Sequence, residues 1–499
     1  MESGSHLYQP QRQSSWAIVL ILLKYLRIIA RQMWPILLIV LIKPTEGRGL
    51  IITAIALGIA LLAMLYSIVA YTRYYYFVKN NELCVRSGVF RKVVLNVPFE
   101  RIQSVDFKQN IIHQFLNVVS VQVDTAGSKG SELEIDAINL PQAEALRNLV
   151  LTYKKSHAQE MSGTEGSSNV SAEEPPELIL SLSSSDLMKV GISSNHLRTA
   201  AIIFAFFVGL ADDVEQLLGW DVWGQLDDSS MASSILGLIV VLSAIPLLLL
   251  ASFFITLIRT VLRYYNLKFW REGNSYKVVS GLFTRNEKSI QKSKIQIIRW
   301  VTSPLKRMFG IFQMNIYQAT SIHQTRDKSL IIPGCYAQQV QHTLDTIVPS
   351  FKGATFTAHR MHPAIVILVV SLAGFLPAVG FGFMAWHNES IVQWLLVLIF
   401  PLAVWMGILY QRKRRFKIDS DFILSEGGIF GHTNRLIEIY KVQAVTIHSS
   451  PMQRRRGVSS LHIHTAGGEI AFAYIKTHVA NQARDYILYR VETEKKSWM

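Results

Sequence analysis

The 499-residue sequence is half apolar and only 17% charged, with a net charge of +15 and a mean hydropathy of +0.26. This balance is too apolar for an ordinary soluble protein. The two cysteines, Cys84 and Cys335, lie far apart in the chain. They form neither a metal motif nor a disulfide framework, which fits a reducing compartment.

Six apolar segments are predicted to cross a bilayer, which takes about 20 residues. Five of them are Gly49–Ala70, Ser193–Leu210, Ile235–Ile258, Pro363–Met384 and Ile391–Tyr410. The other, Trp16–Ile42, carries Lys24, Arg27 and Arg31 on one helical face. It is either a long tilted span or a surface helix, and we expect its first turns to lie in the interface and the rest to insert. No cleavable signal peptide is predicted.

The placement of charge predicts the topology, because cytosolic loops are enriched in Lys and Arg. Segment 211–234 has six acidic residues and no Lys or Arg, and segment 385–390 has only Glu389, whereas Lys43 and Arg48 are a mild exception at 43–48. The other side is basic: Arg73, Lys79, Arg86, Arg91, Lys92, Arg259, Arg263, Lys268, Arg412, Lys413, Arg414, Arg415 and Lys417. Both termini and all long polar segments are therefore predicted to be cytosolic.

A motif recurs three times, as in repeat architectures. A glycine stands between two strand-like runs, and a basic residue followed by Ile-Gln or Val-Gln comes 13 residues later. The copies are Gly88 with Arg101, Gly281 with Lys294, and Gly428 with Lys441. Farther on, Asn117, Gly310 and Gly457 align, which predicts left-handed backbone at that position. Each copy ends in a helical stretch, at Leu140–Lys154, Pro333–Ile347 and Lys476–Val491.

The repeats predict three membrane hairpins, each followed by a small barrel or curled sheet with a C-terminal helix. The predicted boundaries are a hairpin at 1–72, a module at 73–155, a flexible linker at 156–177, a hairpin at 178–262, a module at 263–350, a hairpin at 351–411 and a module at 412–499. The linker is rich in Ser, Glu and Gly, a composition that cannot bury a core.

This combination of hairpins, turn glycines and basic-Ile/Val-Gln steps resembles the bacterial pleckstrin-homology-like membrane proteins. The resemblance covers nearly the whole chain and implies a PH-like module, a seven-stranded barrel capped by a helix, repeated three times. It also implies a bacterial inner-membrane location and a partner, because a smaller single-repeat relative is often encoded beside the three-repeat protein. It implies neither phosphoinositide binding nor catalytic residues.

Basic residues are the candidate binding groups for membrane lipids or for a partner's acidic face. They are Arg101, Lys294, Lys441, Arg412, Lys413, Arg414, Arg415, Lys417, Arg454, Arg455 and Arg456. For the repeated basic position the alternative is a structural role, such as pairing with a carboxylate or a barrel-end carbonyl. For the run after the last apolar segment, the alternative is topological anchoring at the anionic surface.

Histidines of the third repeat are a weak candidate metal site. His462 and His464 alternate on one strand and share a face, with His448 on a neighbouring strand and His432 nearby. The favoured interpretation is ordinary polar outward residues, so we expect no metal and no cofactor. Nucleic-acid binding is not expected either, because the basic runs lack interleaved aromatic residues.

No phosphate-cradling loop, nucleophile elbow or zinc-protease motif occurs, so we expect a protein that is not an enzyme. We expect a membrane scaffold that presents three cytosolic modules to a protein partner, to the anionic bilayer surface, or to both, within a cell-envelope complex. The alternative is a lipid- or solute-handling protein with a path between its spans. Polar residues lining a cavity would favour transport, and closely packed small residues would favour a scaffold.

Overall fold

The computed structural model describes residues 5–42, 48–125, 131–161, 176–218, 231–319, 329–388 and 398–494. Most of the predicted linker at 156–177 and part of each predicted hairpin connection lie outside these residues. The chain divides into two compact units. The first comprises Met1–Ala172, Ser194–Leu267 and Val279–Lys288, and the second comprises Glu173–Ser193, Lys268–Val278 and Ser289–Met499.

The first unit contains strands of two antiparallel sheets and the long helices of the first two repeats. Its strands are β1 (Tyr75–Lys79), β2 (Glu82–Ser87), β3 (Val93–Pro98), β4 (Ile102–Gln109), β5 (Val118–Thr125) and β6 (Ser131–Asn139). Its helices are α1 (Ala17–Ile42), α2 (Arg48–Thr72), α3 (Ile111–Phe115), α4 (Leu140–Met161), α6 (His196–Leu218) and α7 (Met231–Tyr264). Ala143, Leu146 and Val150 of α4 follow helical spacing and are buried against both sheets.

The second unit begins with β7 (Glu177–Ser181), α5 (Ser184–Ile192) and β8 (Lys268–Glu272). The hairpin formed by β9 (Ser275–Ser280) and β10 (Arg285–Gln291) contributes residues to both units. The second repeat then continues with β11 (Ile295–Thr302), α8 (Pro304–Met308), β12 (Ile311–Gln318), β13 (Ser329–Tyr336) and α9 (Ala337–Ile347).

The third repeat lies wholly in the second unit. Its strands are β14 (Thr357–Arg360), β15 (Arg415–Ile418), β16 (Phe422–Gly427), β17 (His432–Glu438), β18 (Val442–His448), β19 (Val458–Thr465) and β20 (Gly468–Lys476). Its helices are α10 (Ala364–Val369), α11 (Leu376–Asn388), α12 (Ile399–Lys413), α13 (Pro451–Arg454) and α14 (Thr477–Thr493), with a π-helical segment, Val370–Phe375, joining α10 to α11. The core brings Ile437, Leu461 and Phe472 against α14.

The repeated glycines form the tight turns that the sequence predicts. Gly88, Gly281 and Gly428 have φ of 109°, 109° and 118°, and a Cβ on any of them would lie within 2.5 Å of a carbonyl oxygen three residues later. The second predicted position is also confirmed, because Asn117, Gly310 and Gly457 have φ of 53°, 66° and 62°. Both positions therefore require left-handed backbone in every copy.

The first strand of a module precedes its helices, which differs from the predicted boundaries. Strand β7 pairs antiparallel with β8, although its residues stand almost entirely within the predicted hairpin at 178–262. In the same way β14, within the predicted hairpin at 351–411, pairs with β15. These strands have only five and four residues and bury few side chains, so their pattern is too weak to predict a strand.

Among the described residues, two helical segments are long and apolar enough to cross a membrane by length and composition. They are Ile245–Tyr264 in α7 and Ala364–Met384 in α10 and α11. Shorter apolar helices cover Leu57–Thr72 and His196–Gly209. The six predicted spans are therefore matched in part by suitable helices, and their number stays a prediction.

Candidate functional site

Strand pairing joins the second and third repeats inside the second unit. Strand β17 pairs antiparallel with β11, from Ile298 opposite Leu436 to Thr302 opposite His432. The resulting seven-stranded sheet has the order β13-β12-β11-β17-β16-β15-β14. Three strands of one repeat and four of the next are thus continuous, and their backbone hydrogen bonds hold the two repeats together.

The first unit contains the same joint at an equivalent register. Gln109, Lys108 and Phe107 of β4 lie opposite Arg285, Asn286 and Glu287. Gln109 and Thr302 both stand eight residues after the repeated basic residue, and their partners both stand four residues after the turn glycine. The repeated sequence therefore specifies how strands of successive modules pair, as well as the fold within each module.

Two strands that are equivalent to these pairing strands have an open edge. Strand β18 follows Lys441 as β11 follows Lys294, but it ends its sheet, which has the order β18-β19-β20. Strand β3 follows Gly88 as β17 follows Gly428, and it ends the sheet β1-β2-β3. Within the part of the chain that the structure describes, neither strand has a neighbour on its outer side. Open edges are templates for pairing with another chain.

The two open edges are chemically suited to pairing. Val93 and Val94 on β3 are 49% and 59% exposed. Strand β18 carries Val445, Thr446 and Ile447, with no charge and no proline. Natural proteins usually block exposed edges with charge, proline or a covering element. Sequence reasoning missed these edges because only the pairing of the other repeats reveals them.

The repeated basic position does not have one environment. Lys441 is 3% exposed; its ammonium group contacts the Glu438 carboxylate and donates a 2.6 Å hydrogen bond to the Ile295 carbonyl oxygen. It therefore ties the third repeat to β11. Lys294 is half-buried at the start of β11, and Arg101 is exposed before β4. Of the three, Arg101 is the one presented to solvent.

The basic run that begins in the last turn of α12 is largely engaged by its own module. Lys413 donates to the Ile429 carbonyl oxygen at 2.7 Å, and Lys417 pairs with Glu426 at 2.6 Å. Arg414 donates to the Ala471 carbonyl oxygen at 2.8 Å. Arg412 is exposed and Arg415 is half-buried, and neither forms an ion pair within the described residues.

Arg454, Arg455 and Arg456 are all exposed, at the end of α13 and in the turn after it. The Ser450 hydroxyl caps α13 by accepting from the Gln453 N–H at 3.2 Å, so the loop has a defined shape. Within the described chain these arginines form no ion pair. They are therefore available for an external anion or an acidic surface.

A buried polar side chain follows each of the corresponding helix caps. His113, Lys306 and Gln453 are 8%, 9% and 7% exposed and stand three residues after Asn110, Ser303 and Ser450. Burial lowers the pKa of Lys306 to about 8, and it also lowers the pKa of His113. Lys306 donates to the Gln313 amide oxygen at 2.9 Å, which compensates in part for its lost hydration.

The candidate histidines lie together without forming a metal centre. The rings of His448 and His462 are 5.2 Å apart, and the His464 ring stacks on His462 at 6.5 Å. The Nδ1 atom of His462 contacts the Glu469 carboxylate, a partner that the sequence did not predict. Within the described residues, no group of three or more His, Cys, Asp or Glu side chains is placed to hold a metal ion.

Family comparison agrees with the repeated architecture. The Bacterial PH domain model matches residues 18–154, 213–347 and 364–491, which together make up most of the chain. The chain belongs to the bacterial PH domain family. A related protein of Bacillus subtilis (strain 168), named UPF0699 transmembrane protein YdbT, is 21% identical over 416 residues. That alignment covers 81% of this chain and 82% of the relative.

Proposed function

We propose that this bacterial PH domain protein is a non-enzymatic membrane scaffold whose cytosolic modules bind another PH-like module by adding a strand at an open edge. The pairing of β11 with β17 carries the proposal, because it shows how one module of this family extends the sheet of the next. The occupant is either a second copy of the chain or a smaller single-repeat PH-like membrane protein.

A membrane location is supported by exposed apolar side chains on the helices. Leu57 of α2, Leu247 of α7 and Phe383 of α11 are 75%, 68% and 73% exposed. Such surfaces are unfavourable in water and favourable in lipid. The relative from Bacillus subtilis carries "transmembrane protein" in its name, which supports the same location. The proposed arrangement is six spans in the inner membrane, with both termini and the three modules in the cytosol.

Close helix packing favours a scaffold over a transport path. A Cβ on Gly374 would lie 2.8 Å from the Ala403 Cβ, and a Cβ on Gly407 would lie 3.3 Å from a Val366 methyl. Thr256 donates a 2.8 Å hydrogen bond to the Thr199 hydroxyl between α6 and α7. Small residues at such contacts let helices approach closely in a bilayer.

A cysteine cross-link tests the proposed edge pairing. The internal joints place His448 opposite Val93 of the added strand, as Val301 lies opposite Thr433. One tagged copy carrying His448→Cys and another carrying Val93→Cys should form a disulfide in membranes. Gln443→Cys is the control, because it stands five residues along the same strand, about 16 Å away. The native cysteines are buried, and the parent protein measures their background.

The same experiment separates the two occupants. The His448→Cys chain is expressed with the single-repeat protein carrying a cysteine at the position equivalent to Val93. Cross-linking to the second copy or to the single-repeat protein identifies the occupant. The proposal fails if neither in-register pair cross-links more than its Gln443→Cys control. Reporter fusions at Asp221 and at the C-terminus test the topology separately, and a cytosolic reporter at Asp221 would contradict it.

A further inference from the structure

Two arginines lie opposite each other in the seven-stranded sheet, in the row of paired residues that runs across β12, β11, β17 and β16. Arg299 of β11 pairs with Arg435 of β17, and their outer neighbours are Asn315 and Ser425. Directly opposite residues in antiparallel strands point to the same face, with Cβ atoms about 5 Å apart. Two guanidinium groups therefore emerge side by side at the joint between the second and third repeats.

Arg414 approaches the pair from the end of α12. Its guanidinium donates to the Ala471 carbonyl oxygen at 2.8 Å and to the Tyr410 hydroxyl, and it lies 5.8 Å from the centre of the Phe472 ring. Burial, and then the positive charges of Arg299 and Arg414, lower the pKa of Arg435. Since an arginine stays protonated in proteins, this repulsion remains in the folded state.

Among the described residues, no carboxylate pairs with any of the three arginines. Glu426 on the neighbouring strand β16 is held by Lys417 at 2.6 Å. The Nε atom of Arg299 is buried and has no hydrogen-bond partner in the described chain. Buried donors and like charges without partners are costly, so the cluster should be stabilised by an external anion.

We propose that Arg299, Arg414 and Arg435 bind a phosphate group at this joint. Guanidinium forks match phosphate oxygens in paired hydrogen bonds, and three cations suit a tetrahedral oxyanion with several acceptors better than a carboxylate with two. All three side chains are half-buried, so the site is shielded but open to solvent. Because Arg414 directly follows the apolar helix α12, the phosphate comes from a lipid headgroup or from a small soluble phosphate compound.

The site does not depend on the strand edges of the proposed scaffold, because its residues lie at a joint that is already formed. Edge cross-linking and phosphate binding can therefore fail independently. The amide row along β12 extends the polar surroundings: Gln313 donates to Asn315 at 3.1 Å, and Asn315 donates to the Tyr317 hydroxyl at 3.3 Å.

Thermal unfolding of the full-length protein in neutral detergent tests whether the site binds a soluble phosphate compound. Inorganic phosphate should raise the melting temperature of the wild type above that in chloride at equal ionic strength. Arg299→Gln and Arg435→Gln should each weaken phosphate binding by about ten- to a hundredfold, the usual loss for a charged hydrogen bond. Arg360→Gln is the control, since it removes an exposed arginine of β14 whose row of paired residues neighbours that of Arg435 and so faces the other side of the sheet, and it should bind like the wild type.

Thermal unfolding in nanodiscs of defined lipid composition tests whether the phosphate belongs to a lipid headgroup. If the phosphate belongs to a lipid, phosphatidylglycerol should stabilise the wild type and Arg360→Gln above phosphatidylcholine, and it should not stabilise Arg435→Gln. Folding of Arg435→Gln is checked without phosphate, where loss of repulsion should leave its melting temperature equal or higher. The proposal is overturned if neither inorganic phosphate nor phosphatidylglycerol stabilises the wild type, or if both arginine variants respond as the wild type does.

Discussion

The two joints between repeats share a backbone register and differ in charge. At the first joint, Arg147 of α4 pairs with Glu287 at 2.5 Å, and the two side chains are 15% and 12% exposed. At the second joint, Arg299 lies opposite Arg435. Asn434 takes the place of Glu287, and Leu344, counted from the start of the corresponding helix, takes the place of Arg147. The same strand addition is thus compensated internally in one place and leaves positive charge unpaired in the other.

The difference between the joints lies in what their charged side chains contact, because both joints have the same strand pairing. Arg147 also donates to the Val105 carbonyl oxygen at 3.2 Å and lies 4.3 Å above the Phe107 ring, so it serves only its own joint. The second joint keeps the hydrogen-bonded strands but has no such internal partner among the described residues. A repeat protein can in this way reserve one of several equivalent joints for a ligand without changing the fold.

The largest expected effect comes from breaking the ion pair of the first joint. Glu287→Gln leaves Arg147 in a largely buried place without its charge partner, which should lower the free energy of unfolding by about 3 kcal/mol. Glu144→Gln, on the exposed side of α4, is the control and should change little. Chemical or thermal unfolding in detergent measures both. Equal stability of the two variants would show that the pair does not hold this joint.

The second joint can be broken sterically instead. A Cβ on Gly431 would lie 2.0 Å from the Thr302 carbonyl oxygen, so Gly431→Ala must push β17 away from β11. Forcing extra volume into a packed site costs about 1–3 kcal/mol, and we expect about 2 kcal/mol here. Gly353→Ala is the control, because a Cβ there meets nothing within 4 Å.

Hydrogen exchange localises the effect of Gly431→Ala. The amides of β11 and β17 should lose protection, while those of β4 in the first unit should keep it. Uniform loss across both units would show that the joint is not a separate cooperative element. Unchanged protection at β11 and β17 would contradict the steric argument itself.

The sequence predicts the repeat well because spacing is local information. The turn glycines and the Asn117, Gly310 and Gly457 positions have the expected positive φ. The sequence does not predict that β7 and β14 begin modules, because short, partly exposed strands carry little hydrophobic alternation. These strands are separated by the helices from the strands that they pair with.

The sequence points to only one member of the arginine cluster, Arg414, and for a related reason it does not predict the other two. Arg299 and Arg435 stand in different repeats, and only the register of β11 against β17 brings them together. In the dense run from Arg412 to Lys417, Lys413 and Lys417 are engaged within their own module. Charge density along a chain is therefore a poor guide to a binding site that forms between distant strands.

The smallest expected effect on stability concerns Lys306, which differs in charge from the equivalent residue of the first repeat. In the first repeat the equivalent buried position is His113, which is largely neutral at pH 7 because burial lowers its pKa. Lys306 stays mostly charged at pH 7, since its pKa is about 8. The folded second repeat thus carries an additional buried charge near Asn315, to which it is linked through Gln313.

The sign of the pH dependence follows from this lowered pKa. Unfolded lysine holds its proton up to about pH 10.4, so between pH 8 and that value the unfolded state binds more protons. The penalty of the buried charge is fully present below pH 8 and is relieved as pH rises, so Lys306 makes stability increase with pH.

Lys306→Met removes this contribution. The free energy of unfolding of the wild type, relative to Lys306→Met, should rise by about 1 kcal/mol from pH 7 to pH 9. Thermal unfolding of both proteins across this range measures it, with Lys352→Met, at an exposed lysine, as the control. A difference that stays flat or falls with pH would mean that Lys306 is not a buried charge in the folded protein.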